Sequence, residues 1–217
     1  MTKLAILDTE TSGLDKDRHE VYEIGLILEE LPDADGKAPA LEEWRWWLPI
    51  DLTRADPAGL RVGRYYERLP GMLAEHPAAA MTWWPNHPKD NDELATITTE
   101  LARVAQTLAR KLDGAHLYGI CPSFDMDFLD RFLRRHGQCQ TLHYQPHDVE
   151  DLAGGFLRAQ ARNGLAPLPA ARLWEPPIDT EALCRVLGVD PEQFDKHTAT
   201  GDARLVHALL HAVVDRR

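Results

Sequence analysis

Cysteine is scarce in this chain: Cys121, Cys139 and Cys184 stand far apart, with no CxxC pair among them. That excludes a zinc ribbon and a disulfide framework, and it suits a reducing compartment. No apolar run approaches the ~18 residues of a membrane span. The first residues lack a charged-then-apolar leader pattern, so the expectation is a cytoplasmic protein with no membrane contact. Basic residues are also few. Lys and Arg number 24 against 35 Asp and Glu, a net charge of −11. A protein that wraps duplex nucleic acid by neutralising many phosphates is normally basic, so that class is excluded. An acidic chain still has access to nucleic acid if it grips few nucleotides and lets metal ions meet the phosphate. Internal repeats and low-complexity tracts are missing too. What remains, 217 residues of which 44% are hydrophobic, predicts one domain over 1–217 with a real core.

The most informative stretch lies at the start, Leu4-Ala5-Ile6-Leu7-Asp8-Thr9-Glu10-Thr11-Ser12-Gly13-Leu14. Its short apolar run, ended by Ser12-Gly13, predicts a buried strand running into a turn. Side chains alternate along a strand, so Asp8 and Glu10 project to the same side. At an effective dielectric of about 20, two like charges roughly 4 Å apart cost on the order of 4 kcal/mol. A divalent cation removes that cost, and oxygen-only ligands suit Mg²⁺ or Mn²⁺. A solvated acidic turn is the plainer alternative, and this stretch alone leaves both open.

Further strands are expected over His19–Leu28 and Trp44–Pro49, the latter with Trp44, Trp46 and Leu48 on one face. With the first strand they predict an antiparallel meander. Pro32 to Pro39 is expected as a loop, and the signal from Pro57 to Pro88 is weak. Leu94, Ile97, Leu101, Val104, Leu108 and Leu112 keep a helical period that Gly114 stops. A short strand at His116–Ile120 and an amphipathic helix from about Phe124 to His136 follow. A right-handed crossover would lay this later strand beside the meander, giving a mixed α/β domain. Ala166 to Pro177 is a proline-containing loop, too short for a domain linker.

Two further acidic positions stand at helix starts. Asp125, in Cys121-Pro122-Ser123-Phe124-Asp125-Met126-Asp127-Phe128-Leu129, falls in a first turn, where capping is the ordinary role of an acid. Asp202 opens the terminal helix, in Lys196-His197-Thr198-Ala199-Thr200-Gly201-Asp202-Ala203-Arg204. On a continuous helix His197 would lie about 140° around from Asp202, so the two share a site only if His197 precedes the helix. His207 and His211 have the i,i+4 spacing of zinc ligands, but Ala208 stands where a zincin helix needs its glutamate, and a solvated face is expected.

Taken together, Asp-x-Glu on the first strand, Phe-Asp-x-x-Phe-Leu at a helix start and His-x(4)-Asp near the end resemble the motifs of the DnaQ-like 3′–5′ exonucleases. The subfamily is the one with four acids and a histidine (DEDDh). Glu23-Ile24-Gly25 is similar to that family's second strand, and Asp179–Leu183 with Leu187-Gly188-Val189 to its short helix before the last motif. The resemblance covers nearly the whole chain and is weakest over 55–92 and 158–177. It implies a ribonuclease H-like fold, a mixed β-sheet flanked by α-helices. It implies two Mg²⁺ or Mn²⁺ ions held by Asp8, Glu10, Asp125 and Asp202, with Asp8 bridging, and His197 as general base. Two such ions suit phosphodiester hydrolysis, because they stabilise both the attacking and the leaving oxygen. Thr11, through its backbone, and Leu14 are then placed to pack against the terminal nucleotide.

The chain departs from the family at Cys121, where relatives carry Asn, and at Asp127, where small residues are common. Trp83-Trp84, two of the six tryptophans, are expected to anchor a loop, with base stacking as the alternative. Gln140–Tyr144 resembles a sliding-clamp peptide, but it follows directly on a helix, which favours a structural role. The expected activity is removal of nucleotides from the 3′ end of single-stranded DNA or RNA, with DNA favoured and a DNA polymerase partner left open. The alternatives are an oligoribonuclease-like RNA trimmer and, in another class, a non-catalytic polymerase-associated binding module.

Overall fold

Alternation along the first strand divides the core in two. In a computed structural model, which describes residues 2–32, 40–75, 91–164, 173 and 177–214, β1 runs Lys3–Thr11. Leu4 and Ile6 enter one hydrophobic cluster, and Ala5 and Leu7 enter another on the opposite face. β1 is the middle of five strands in the order β3-β2-β1-β4-β5. β2 (Val21–Glu30) and β3 (Ala40–Trp47) complete the expected antiparallel meander. β4 (His116–Gly119) and β5 (His147–Asp148) add in parallel, as a crossover connection requires. The inner strands are covered on both faces, with every residue of β2 except the last buried, whereas most of the edge strand β3 is exposed.

On the Ala5 and Leu7 side lie α3 (Asn91–Lys111) and α4 (Pro122–Arg135). The helical period foreseen for α3 is present, with Ala105 and Leu108 fully buried. α4 starts abruptly. Cys121 sits in the left-handed region at φ 52°, Pro122 takes the first helical position, and the Cys121 N–H donates to Asp148 Oδ2 at 3.0 Å. On the Leu4 and Ile6 side lie α5 (Val149–Arg162), α6 (Thr180–Val186) and the terminal α7 (Ala199–Val214). A 3-10 turn over Pro191–Gln193 precedes α7.

α7 crosses β2 and β1, and its approach depends on one glycine. A β-carbon on Gly25 would lie 2.3 Å from the main-chain carbonyl of Ala199. Gly25 is also the cross-strand partner of Asp8, so this close helix-to-sheet approach falls beside the first acidic residue.

The weak stretch after Pro57 holds two helices, α1 (Pro57–Val62) and α2 (Tyr65–Glu75). Their sequence signal is faint because α1 has only six residues and α2 contains Pro70-Gly71. The solvated face expected for His207 and His211 is corrected. Both imidazoles are half-buried, with Nε2 atoms 3.3 and 2.8 Å from Oε2 of the buried Glu29 on β2. Gln140–Tyr144 is structural. Gly114 N–H donates to the Thr141 carbonyl, His143 N–H donates to that of Ala115, and Leu142 is buried. Trp83-Trp84, the loop at 33–39 and most of Ala166–Pro177 lie outside the described residues. No helix among the described residues is long and apolar enough to cross a membrane.

The Gly25 contact sets a measurable expectation. Gly25→Ala should destabilise the fold by about 1–3 kcal/mol through overpacking, lowering Tm by roughly 2–12 °C. Gly155→Ala, on a helix face with nothing within 4 Å, should hold or raise Tm by a few degrees. Equal thermal shifts in the two variants would show that Gly25 carries no special packing constraint.

Candidate active site

The parity that buries Leu4 and Ile6 against α7 also turns Asp8 and Glu10 toward that helix. Asp202, in its first turn, faces them. Asp8, Glu10 and Asp202 each offer a carboxylate oxygen, and these oxygens lie within 4.8 Å of one another. Asp125 comes from α4, on the other face. β4 pairs with β1 only over Leu4–Ile6, which leaves the later N–H groups on that edge unclaimed. Asp125 Oδ1 accepts from the Thr9 N–H at 2.9 Å and from Thr9 Oγ1 at 2.6 Å. Three of the four foreseen acids thus converge directly, and the fourth is moored beside them through Thr9.

Burial and mutual repulsion raise every one of these carboxyls. Asp8 is held well above its ordinary range by burial, then by Asp125, Asp202 and Glu10. Burial, with Asp202 and Glu23 adding, pushes Glu10 to about 7. Asp125 also reaches about 7 through burial, although both Thr9 hydrogen bonds pull it down. Asp202 rises to about 6 by burial against the opposing influence of His197. A cluster of oxygen donors, Asp125 buried and the other three partly so, that resists ionising in the absence of a cation fits a hard divalent ion, Mg²⁺ or Mn²⁺.

His197 lies ahead of α7, meeting the condition for sharing a site with Asp202. Its side chain is exposed and its backbone is left-handed, at φ 57°. Two contacts hold that conformation. The His197 N–H donates to Asp202 Oδ2 at 3.0 Å, and its carbonyl accepts from Arg68 Nη1 at 2.9 Å. Arg68, from α2, also pairs with the fully buried Glu23 of β2 and lies over the Trp47 ring, 4.7 Å from its centroid. Glu23 Oε2 accepts in addition from Ala199 N–H at 3.0 Å, anchoring the start of α7. The Tyr22 hydroxyl stands 3.4 Å from Glu10 Oε2 and 3.2 Å from the Gly63 carbonyl.

Glu23, Arg68 and Tyr22 are the site residues that sequence reasoning missed. Glu23 stands in a segment recognised only as a strand, and Arg68 in a helix with almost no signal. A glutamate directly ahead of the apolar run Ile24–Leu28 was the available clue, since such a charge in a buried strand needs a buried partner.

Leu14 is 82% exposed three residues past the end of β1. Thr11 is buried, pairs with Val21 at the end of the β1–β2 ladder, and donates its hydroxyl to the Gly13 carbonyl at 2.9 Å. Asp127 forms an exposed pair with Lys16.

The mixed five-stranded sheet flanked by helices is a ribonuclease H-like fold. No sequence-family model matches the chain, and no curated protein sequence is similar to it. Solved structures with the same fold include E. coli exonuclease I in complex with a dT13 oligonucleotide, at TM-score 0.63 and 14% identity over all of this chain and 42% of that one. The zinc-bound form of the E. coli exonuclease I–ssDNA complex gives 0.62 and 14%, over all of this chain and 41% of that one. A moderately thermophilic exonuclease I from Methylocaldum szegediense gives 0.53 and 18%, again over all of this chain and 41% of that one. The chain therefore spans less than half the length of each, and at such identities the likeness is one of fold.

Because the folded acids bind protons more tightly than unfolded ones, metal-free stability should be greatest near pH 4 and fall as pH rises through about 7. Thermal melts in EDTA should show that decline, and Asp8→Asn should raise the metal-free Tm at pH 8 by a few degrees. A flat profile between pH 5 and 8 would argue that the acids do not interact.

Arg68→Ala should cost about 3–5 kcal/mol by leaving Glu23 buried and unpaired, with Glu23→Gln in the same chain recovering part of the loss. Chemical denaturation measures both, and a loss under about 1 kcal/mol would mean the pair is screened by solvent.

Proposed function

We propose that this chain is a metal-dependent 3′–5′ exonuclease of the DnaQ-like DEDDh kind, acting on single-stranded DNA as one domain over residues 1–217. The observation that carries this reading is the convergence of Asp8, Glu10 and Asp202 oxygens within 4.8 Å, with Asp125 moored beside them and an exposed histidine at the rim. Single-stranded oligonucleotides are bound in the E. coli exonuclease I structures that share the fold, which supports the choice of substrate.

Asp8, Glu10, Asp125 and Asp202 would hold two Mg²⁺ or Mn²⁺ ions. When bound, such a pair stabilises the charge on the attacking and leaving oxygens of a phosphodiester. The remaining work falls to the chain's own groups. His197, its backbone fixed by Asp202 and Arg68, has a side chain free to take a proton from the attacking water at a ring nitrogen. The water oxygen bonds to phosphorus as the bond to the 3′ oxygen breaks, releasing a nucleoside 5′-monophosphate. Leu14 offers an exposed apolar surface to the terminal base, and the Thr11 backbone lies beside it. With a net charge of −11, the chain grips few phosphates, so binding is expected to be weak and only modestly salt-dependent.

The test uses 5′-labelled linear single-stranded DNA, the same strand with a blocked 3′ end, a circular strand and linear RNA, each with Mg²⁺ or Mn²⁺. Stepwise shortening of linear DNA alone, abolished by EDTA, is expected. Cutting of the circle as fast as the linear strand would mean an endonuclease, and faster shortening of RNA would move the reading to RNA trimming. His197→Ala should lower turnover about 10²–10⁴-fold while the metal-induced rise in Tm persists. Asp8→Ala should lose both. Near-wild-type turnover in His197→Ala would remove the histidine from the mechanism.

A further inference from the structure

The far end of α7 carries a second set of metal-binding groups, of different chemistry from the first. His207 and His211 are one helical turn apart and direct their rings to the same side, with centroids 4.4 Å apart. Glu29, next to last in β2, reaches up from the sheet between them. Its Oε2 lies 2.8 Å from His211 Nε2 and 3.3 Å from His207 Nε2, and all three ligand atoms fall within 4.8 Å of one another.

Four ligands around a zinc-class ion at 2.0–2.1 Å stand about 3.3 Å from each other. The 2.8 and 3.3 Å separations from Glu29 Oε2 lie near that spacing, and the third separation, between the two imidazole nitrogens, is within 4.8 Å. Glu29 is 8% exposed, while the two imidazoles remain partly open. A cavity of about 680 Å³, with Glu29 and His211 in its wall and His116, Tyr118 and His147 also lining it, gives an ion a route in and a place for a water as fourth ligand.

From this geometry we infer that Glu29, His207 and His211 form a binding site for a divalent transition ion of the zinc class. Two imidazole nitrogens and one carboxylate select such an ion over Mg²⁺, whereas the all-oxygen cluster at the other end of α7 has the opposite preference. The bound ion would join the end of β2 to the last two turns of α7, as a fastener independent of the proposed hydrolytic site. Neither reading rests on the other.

The experiment titrates Co²⁺ and Zn²⁺ into metal-free protein carrying Asp8→Asn and Asp202→Asn, which weakens the oxygen site. One Co²⁺ per chain is expected, with the strong visible absorption of a four-coordinate imidazole-bound ion, and Zn²⁺ should displace it. At Zn²⁺ about 100-fold above its Kd, Tm should rise by roughly 5–10 °C. Adding His207→Gln and His211→Gln, which keep polar contact with Glu29, should abolish both signals. The Co²⁺ spectrum of the otherwise unaltered chain, with and without those two glutamines, gives the same comparison should the background variant fold poorly. A titration without saturable visible absorption, or one unchanged by the two glutamines, would reduce the trio to an ion pair only and overturn the site.

Discussion

Three carboxylates whose oxygens crowd within 4.8 Å repel one another, and in a buried setting that repulsion is only weakly screened. Left alone, such side chains would turn away from each other or hold protons. Here the surrounding structure denies them the first course. Asp8 and Glu10 are bound by the pleat of a strand paired on both sides over its first half, and Asp202 by a helix pressed onto the sheet. The second course remains, as the raised pKa of each acid shows.

Holding α7 that close demands a matching set of contacts on β2. Gly25 omits a side chain where the Ala199 carbonyl passes, and two residues earlier Glu23 accepts the Ala199 N–H. Glu23 is itself a buried charge, stable there because Arg68 reaches it from α2. The same guanidinium ties down the His197 carbonyl, so the rim histidine is coupled through one arginine to the middle of the sheet. A helix with little sequence signal thereby becomes part of the site's frame.

α7 also separates two side-chain clusters of different chemistry along its length. Its first turn contributes a carboxylate to an all-oxygen cluster at the end of β1, and its last turns contribute imidazoles beside Glu29 at the opposite end of the sheet. The two ends differ because β1 and β2 run antiparallel, with Lys3 opposite Glu30 and Glu10 opposite Glu23. A glutamate late in β2 is therefore displaced by most of a strand length from the acids late in β1.

Local pattern alone determined much of this protein. Alternation placed Asp8 and Glu10 on one face, and the helical period located α3 and α4. Those signals are legible because they arise from spacing along one strand or one helix. Tertiary structure decided the rest. Only strand register sets Gly25 beside Asp8. Only the short pairing of β4 frees the Thr9 N–H for Asp125, and only the docking of α2 brings Arg68 to Glu23 and His197. The same holds for His207 and His211, for which Ala208 between them pointed to a solvated face, whereas β2 brings Glu29 to both. Contacts between residues distant in the chain leave no period in the sequence, because their geometry comes from how whole elements pack.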